Sequence, residues 1–217
     1  MLHYDTVIFD LDGTLLDTLE DLRDAVNYAL AQKGFPTRTL DEIRRFVGNG
    51  SAKLIERSAP AGSSPEVLEE LLNLYLPRYA EHKKDKTAPY PGIPDMLQAL
   101  KAKGCKMAVV SNKFDLAVKG LVTDYFPGLM DTAAGEDEVH GIPKKPHPAM
   151  VLRVLEELKA DKAVYIGDSD VDVQTAENAG LPCISVTWGF RDRAFLLQHG
   201  ASVFADRPME LVDLICG

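Results

Sequence analysis

The sequence predicts an α/β fold, a doubly wound parallel sheet with an all-helical domain inserted after the first strand. Three observations predict it. From residue 94 onward, short apolar runs alternate with helical stretches, the pattern of βαβ units and a largely parallel sheet. Between residues 18 and 83 no stretch reads convincingly as a strand. The run that precedes this helical block, Val7-Ile8-Phe9, is β-branched or aromatic and apolar throughout, as a strand buried on both faces is. The expected domains are a core of residues 1–16 and 89–217 and a helical cap of residues 17–88.

The elements follow in order. Residues 18–33 read as a helix with Thr18 as a candidate N-cap, acidic Glu20, Asp21 and Asp24 in its first half, and Lys33-Gly34 closing it. Leu22, Val26 and Leu30 form its apolar stripe. Residues 40–47 and 51–58 read as short helices split by Gly48-Asn49-Gly50, and residues 64–83 as a longer one opening Ser64-Pro65-Glu66. The turn-rich run Pro89-Tyr90-Pro91-Gly92 ends the block. Strands are then expected at 106–111, 130–134, 163–167, 182–187 and 201–205. Helices are expected at 94–103, 114–124, 147–159, 171–179, 192–198 and 207–215.

Composition narrows the function classes. A chain of 217 residues with 46% hydrophobic content is long and apolar enough to bury a substantial core. The net charge of −9 argues against a nucleic-acid backbone or an anionic membrane surface as the main partner. No apolar run reaches membrane-spanning length, and the N-terminus lacks the pattern of a signal peptide. Cys105, Cys183 and Cys216 are widely spaced and odd in number, and read as reduced core residues of a cytoplasmic protein. A monomer and a homodimer both fit.

In open parallel sheets, ligands bind beyond the carboxyl ends of the strands. There the first strand carries Asp10 and Asp12, followed by Gly13-Thr14, and the second carries Ser111-Asn112-Lys113. The loop before residue 147 holds Lys144-Lys145-Pro146, and the strand at 163 ends in Gly167-Asp168-Ser169-Asp170-Val171-Asp172. Asp and Gly also build ordinary turns. What separates this chain from that reading is that four strand ends carry acidic, hydroxyl and lysine groups together. Neither acidic run is an EF-hand loop. Leu15 and Val173 stand where that loop needs glycine, and Ala179 stands where the second would need its glutamate.

Two like charges placed so close repel, and a cation or a shared proton must relieve them. Oxygen ligands from Asp10 and Asp168 suit magnesium. Assembled, the groups suit phosphoryl transfer. Asp10 is the candidate nucleophile, and Asp12 is the acid on the leaving oxygen and then the base on water. Lys145 offsets charge, and Ser111 hydrogen-bonds the phosphoryl oxygens.

Asp10-Leu11-Asp12-Gly13-Thr14, Ser111-Asn112, Lys145-Pro146 and Gly167-Asp168-Ser169 with Asp172 resemble the four ordered motifs of the haloacid dehalogenase superfamily of phosphatases. The resemblance spans nearly the whole chain. It implies Asp10 as nucleophile, Asp12 as acid/base, and Ser111 and Lys145 as phosphate ligands. It also implies a magnesium ion held by Asp10, the backbone carbonyl of Asp12, and Asp168, with Asp172 in support. Dehalogenases proper lack the Asp12 carboxylate, so the resemblance favours phosphate esters over carbon–halogen bonds. Lys145-Pro146-His147-Pro148 and Trp188-Gly189-Phe190-Arg191 resemble the phosphoglycolate phosphatase subgroup. A pyrophosphatase, a β-phosphoglucomutase-like phosphotransferase and, more remotely, a non-enzymatic phospho-receiver module are the alternatives. The expected substrate is a small phosphorylated metabolite. The expected contacts are Thr14, Ser111, Asn112 and Lys145 in the core, and Arg44 and Asn49 in the cap. His147 reads as a helix-start residue and Trp188 as a packing residue.

Overall fold

The structure is a computed structural model that describes residues 3–137 and 141–217. The chain forms two compact units: residues up to Leu16 with Pro89–Gly217, and Asp17–Ala88. Strand β1 (Thr6–Phe9) lies in the first unit. Strands β2 (Leu16–Asp17) and β3 (Ala88–Pro89), at the two chain crossings, pair as a separate two-stranded sheet.

The second unit is built of helices α1 (Leu19–Gln32), α2 (Leu40–Phe46), α3 (Ser51–Ser58) and α4 (Pro65–His82). Leu22, Val26 and Leu30 of α1 are buried on the expected stripe. The expected cap at Thr18 does not form. Its backbone is not extended (φ −107°, ψ 2°), so its hydroxyl does not bond into the helix. The Asp17 carboxylate accepts the Leu19 N–H instead, at 3.2 Å. Thr39 caps α2 in a reciprocal box with Glu42, and Ser64 caps α4.

The first unit continues with α5 (Ile93–Ala102), β4 (Lys106–Phe114), α6 (Asp115–Tyr125), β5 (Thr132–Glu136), α7 (Ala149–Leu158) and β6 (Ala163–Gly167). It ends with α8 (Asp170–Asn178), β7 (Cys183–Val186), α9 (Arg193–Gln198), β8 (Val203–Ala205) and α10 (Glu210–Cys216). The six-stranded sheet has the order β5-β4-β1-β6-β7-β8, and every neighbouring pair is parallel. From β1 the chain winds outward through β4 to β5, then crosses to the other side and winds through β6 to β8. The direction of winding therefore reverses at β1, where doubly wound sheets open a crevice.

Alternation along the strands builds the two cores. Val7, Phe9, Met107, Val109, Val164 and Ile166 face one side with α5, α6 and α10, while Ile8, Ala108, Val110 and Tyr165 face the other with α7 and α8. Each fully buried aliphatic or aromatic side chain stabilises the fold by about 1.5–3 kcal/mol. The apolar pattern predicts that β4 stops at Ser111, but it runs on to Phe114. Its pairing with β5 jumps from Ser111↔Gly135 to Phe114↔Glu136, so Asn112 and Lys113 are extra residues of a bulge. The three cysteines are free thiols. Cys105 is buried, Cys183 and Cys216 are half-buried, and burial pushes Cys105 and Cys183 up to about 12. Among the described residues no helix is long and apolar enough to cross a membrane.

Candidate active site

The carboxyl ends of β1, β4 and β6 deliver the charged groups to one edge. Asp10 follows β1 directly, its N–H donating to Ile166 O on β6 at 2.9 Å. Its Oδ1 lies 2.8 Å from Lys145 Nζ. The same ammonium lies 2.8 Å from Asp172 Oδ1 and donates to the Tyr165 hydroxyl at 3.1 Å. Asp10, Asp168 and Asp172 are all buried, and one oxygen from each falls within 4.8 Å of the other two.

Each member is held by local structure. Ser169 caps α8 in a reciprocal box with Asp172. Asp172 Oδ2 accepts Ser169 Oγ at 2.6 Å and the N–H groups of Asp168 and Ser169 at 3.2 and 3.1 Å. With Lys145 and Tyr165 on Oδ1, both oxygens of Asp172 are engaged by protein donors. Asp168 accepts the Thr14 hydroxyl at 3.3 Å on Oδ1 and Phe190 N–H at 2.7 Å on Oδ2. Gly13 (φ +90°) and Gly189 close around it: a Cβ on either would come within 2.4 Å of an Asp168 atom. Trp188 Nε1 donates to Thr14 O at 3.0 Å and ties the loop after β7 to the turn after β1.

Crowding of like charge away from water perturbs the carboxyls. Burial pushes Asp10 up to about 7; Asp172 and Asp12 add to it, and Lys145 opposes it. Burial, then Asp172 and Asp10, hold Asp168 well above the usual carboxylate range. Burial pulls Lys145 down, yet Asp10 and Asp172 outweigh it, and its ammonium titrates well above the ordinary lysine range. Three buried carboxylates lie together and Lys145 pairs with two of them, Asp10 and Asp172, so the group carries excess negative charge that a divalent cation would relieve. Their hard oxygens fit magnesium.

The structure also separates what the spacing treats as a pair. Asp10 turns to Lys145, whereas Asp12 Oδ2 lies 3.1 Å from Lys113 Nζ. The Asp12 carboxylate lies outside the three-carboxylate group, and its Oδ1 is buried without a hydrogen-bond partner. Ser111 is buried, and its Oγ accepts Lys113 N–H at 3.2 Å. Both ends of the Asn112 amide hold the main chain of Lys145, at 3.0 and 2.6 Å. Arg44 and Asn49 belong to the helical unit. Arg44 is exposed in the last turn of α2 and pairs with Asp41 at 3.1 Å, and Asn49 lies between α2 and α3. His147 is exposed, its Nδ1 accepting Ala149 N–H at 3.2 Å, as a helix-start residue does. The sequence reading gave no site role to Lys113, Tyr165 or Phe190. Lys113 is signalled as a lysine directly after Ser111-Asn112, and Phe190 lies in the run Trp188-Gly189-Phe190-Arg191.

Residues 7–186 match the model of the family described as haloacid dehalogenase-like hydrolase. The chain belongs to that family. It is 35% identical over 212 residues to the phosphoglycolate phosphatase of Aquifex aeolicus, covering 96% of this chain and 95% of the relative. It is 37% identical over 204 residues to that of Rhodobacter capsulatus, covering 90% of each. The crystal structure of a candidate phosphoglycolate phosphatase from Lactobacillus delbrueckii subsp. bulgaricus superposes with a TM-score of 0.93 at 39% identity over 99% of each chain. CbbY from Rhodobacter sphaeroides, solved with phosphate and, as a variant, with xylulose-(1,5)bisphosphate, gives TM-scores of 0.71 and 0.73 at 28% and 27% identity over 96% of each chain. The chain is thus a phosphatase-like hydrolase of the haloacid dehalogenase family.

Proposed function

We propose that this protein is a magnesium-dependent phosphatase of small phosphomonoesters, with 2-phosphoglycolate the first candidate, working through an aspartyl phosphate on Asp10. The observation that carries the reading is the burial of Asp10, Asp168 and Asp172 together, with the Lys145 ammonium on Asp10 and Asp172. The names of the relatives support the substrate class. Asp10 and Asp168 would hold the magnesium ion with Asp172 in support, and the bound ion would supply positive charge against the phosphoryl oxygens.

The chain's own residues account for the rest. An Asp10 oxygen attacks phosphorus and the ester P–O bond breaks. Asp12 gives its proton to the departing alkoxide, which leaves as an alcohol. Asp12 then takes a proton from water, and the resulting hydroxide attacks the phosphorus of the aspartyl phosphate. Inorganic phosphate leaves and the Asp10 carboxylate is regenerated. Lys145 balances the charge that collects on Asp10 and the phosphoryl group. Ser111 Oγ already accepts Lys113 N–H, so its own hydrogen is available to a phosphoryl oxygen. Asn112 fixes the backbone that carries Lys145, and Thr14 fixes Asp168. The helical unit is the proposed cap, with Arg44 and Asn49 its candidate contacts to the leaving group.

The deciding experiment is phosphate release from 2-phosphoglycolate, β-glucose 1-phosphate and pyrophosphate, with magnesium and with a chelator. Release that requires magnesium and strongly prefers one ester supports the phosphatase and names its substrate. Transfer of the phosphoryl group between sugar positions without release of phosphate replaces it with a mutase.

A further inference from the structure

We propose that Lys113 is a specificity-determining residue of this site, the cation that receives a carboxylate carried by the leaving group of the ester. The proposal rests on the phosphatase reading and adds to it the feature that selects the substrate.

The chain builds a special position for this lysine. Asn112 and Lys113 are the extra residues of the β4 bulge, and bulges beside active sites re-aim side chains. The bulge is pinned from several sides. Ser111 Oγ accepts Lys113 N–H at 3.2 Å. Strand β5 lies against the bulge through Gly135, where a Cβ would come within 2.5 Å of Lys113 O and of Asp115 Cα. Only glycine permits that approach. The two bulge side chains then diverge. Asn112 serves the Lys145 main chain, and Lys113 carries its ammonium to 3.1 Å from Asp12 Oδ2 with only 7% of its side chain exposed.

A buried ammonium costs several kcal/mol in lost hydration, which its contact with Asp12 offsets. Neutralising Asp10 and the phosphoryl group does not require it, because Lys145 sits on Asp10. Lys113 reaches Asp12, the group that meets the leaving oxygen. A cation in contact with Asp12 is therefore one contact away from the carbon attached to that oxygen. In a carboxymethyl ester, the carboxylate lies two bonds from the same oxygen. An ammonium has three donors on a rotatable stem, so it can turn one to a substrate carboxylate while keeping Asp12. Charge-assisted bonds of this kind are the strong ones. The phosphoryl group and the leaving group's carboxylate thus meet two different lysines, Lys145 on Asp10 and Asp172, and Lys113 on Asp12.

The test separates binding from turnover. Calorimetry on the full chain with magnesium would measure 3-phosphonopropionate, an uncleavable analogue with a carboxylate, against propylphosphonate, which lacks it. The wild type is expected to prefer the carboxylated analogue, and Lys113→Met to reduce that ratio by about 100-fold. Damage transmitted through Asp12 affects both ligands and cancels in the ratio. Equal binding of the two by the wild type, or a preference that survives in Lys113→Met, overturns the proposal. Phosphate release judges the phosphatase reading separately, since it can fail while the binding difference stands, and the reverse.

Discussion

Each unit of the molecule buries carboxylates, and it uses them in opposite ways. In the helical unit Asp21 is buried on α1, and donors of Lys86 and Thr87 converge on its carboxylate. It accepts Lys86 N–H at 3.0 and 3.1 Å on its two oxygens, Thr87 N–H at 2.8 Å and the Thr87 hydroxyl at 2.8 Å. In the α/β unit Asp10, Asp168 and Asp172 bring three like charges together with one lysine on two of them, and Asp10 and Asp168 are pushed toward their protonated forms. Asp21 is a solved problem in hydrogen bonding that holds the end of its unit in place. The trio is an unsolved problem in charge, and a fold keeps such a cluster for chemistry rather than stability.

The largest effect that could break this contrast is that of Asp10→Asn. Turnover should fall by on the order of 10^4-fold or more, because the amide cannot act as nucleophile. Thermal unfolding in chelator at neutral pH should move upward, since one buried negative charge is gone and Lys145 keeps Asp172. A fall in stability with activity retained would make Asp10 a structural carboxylate like Asp21. The reverse experiment is Asp21→Asn. The amide turns an NH2 group toward donors that have lost their acceptor, and about 3 kcal/mol of stability should go with it. Denaturant unfolding measures that loss, which should be the same with magnesium and with chelator. A loss that appears only when magnesium is present would link Asp21 to the ion and end the distinction.

The two kinds of carboxylate are not equally legible in the sequence. The trio announces itself, because Asp10 and Asp168 stand directly after runs of buried β-branched and aromatic residues, where solvent-facing turns begin. Strand alternation and βαβ order carry the fold the same way, and nearly every element falls within a few residues of its expected place. Asp21 is hidden in the acidic first half of α1 beside Glu20 and Asp24, and nothing local distinguishes the buried one. Its partners lie more than sixty residues away in sequence, at the backbone N–H of Lys86 and at Thr87. Lys113 is hidden for a different reason. The polar pair Asn112-Lys113 interrupts the apolar run, so periodicity ends β4 where the structure only bulges it. Tyr165 reads as one more apolar strand residue, although its hydroxyl meets Lys145 and Asp172. Bulges and long-range hydrogen bonds depend on which strand lies alongside, and a single chain pattern does not carry that.

The smallest effect sharpens the contrast through pH. Burial raises Asp10 from 3.8 in the unfolded chain to about 7 in the fold, with Asp172 and Asp12 adding and Lys145 opposing. Between those values the folded state binds more protons than the unfolded one. Stability in chelator therefore falls as pH rises through that window, by on the order of 1 kcal/mol per pH unit for one such group. Asp168 is raised too and acts in the same direction. The paired surface carboxylates Asp5, Asp24 and Asp115 are lowered, so their contribution is lost only as pH drops below the ordinary carboxylate range, outside this window. Magnesium should oppose the decline, because a cation on these oxygens competes with protons, and the stabilisation it gives should grow from mildly acidic to neutral pH. Unfolding curves taken across that range with and without magnesium should diverge steadily in wild type and much less in Asp10→Asn. Parallel curves would mean that the trio is relieved from within the protein, as Asp21 is, and that its burial reflects structure alone.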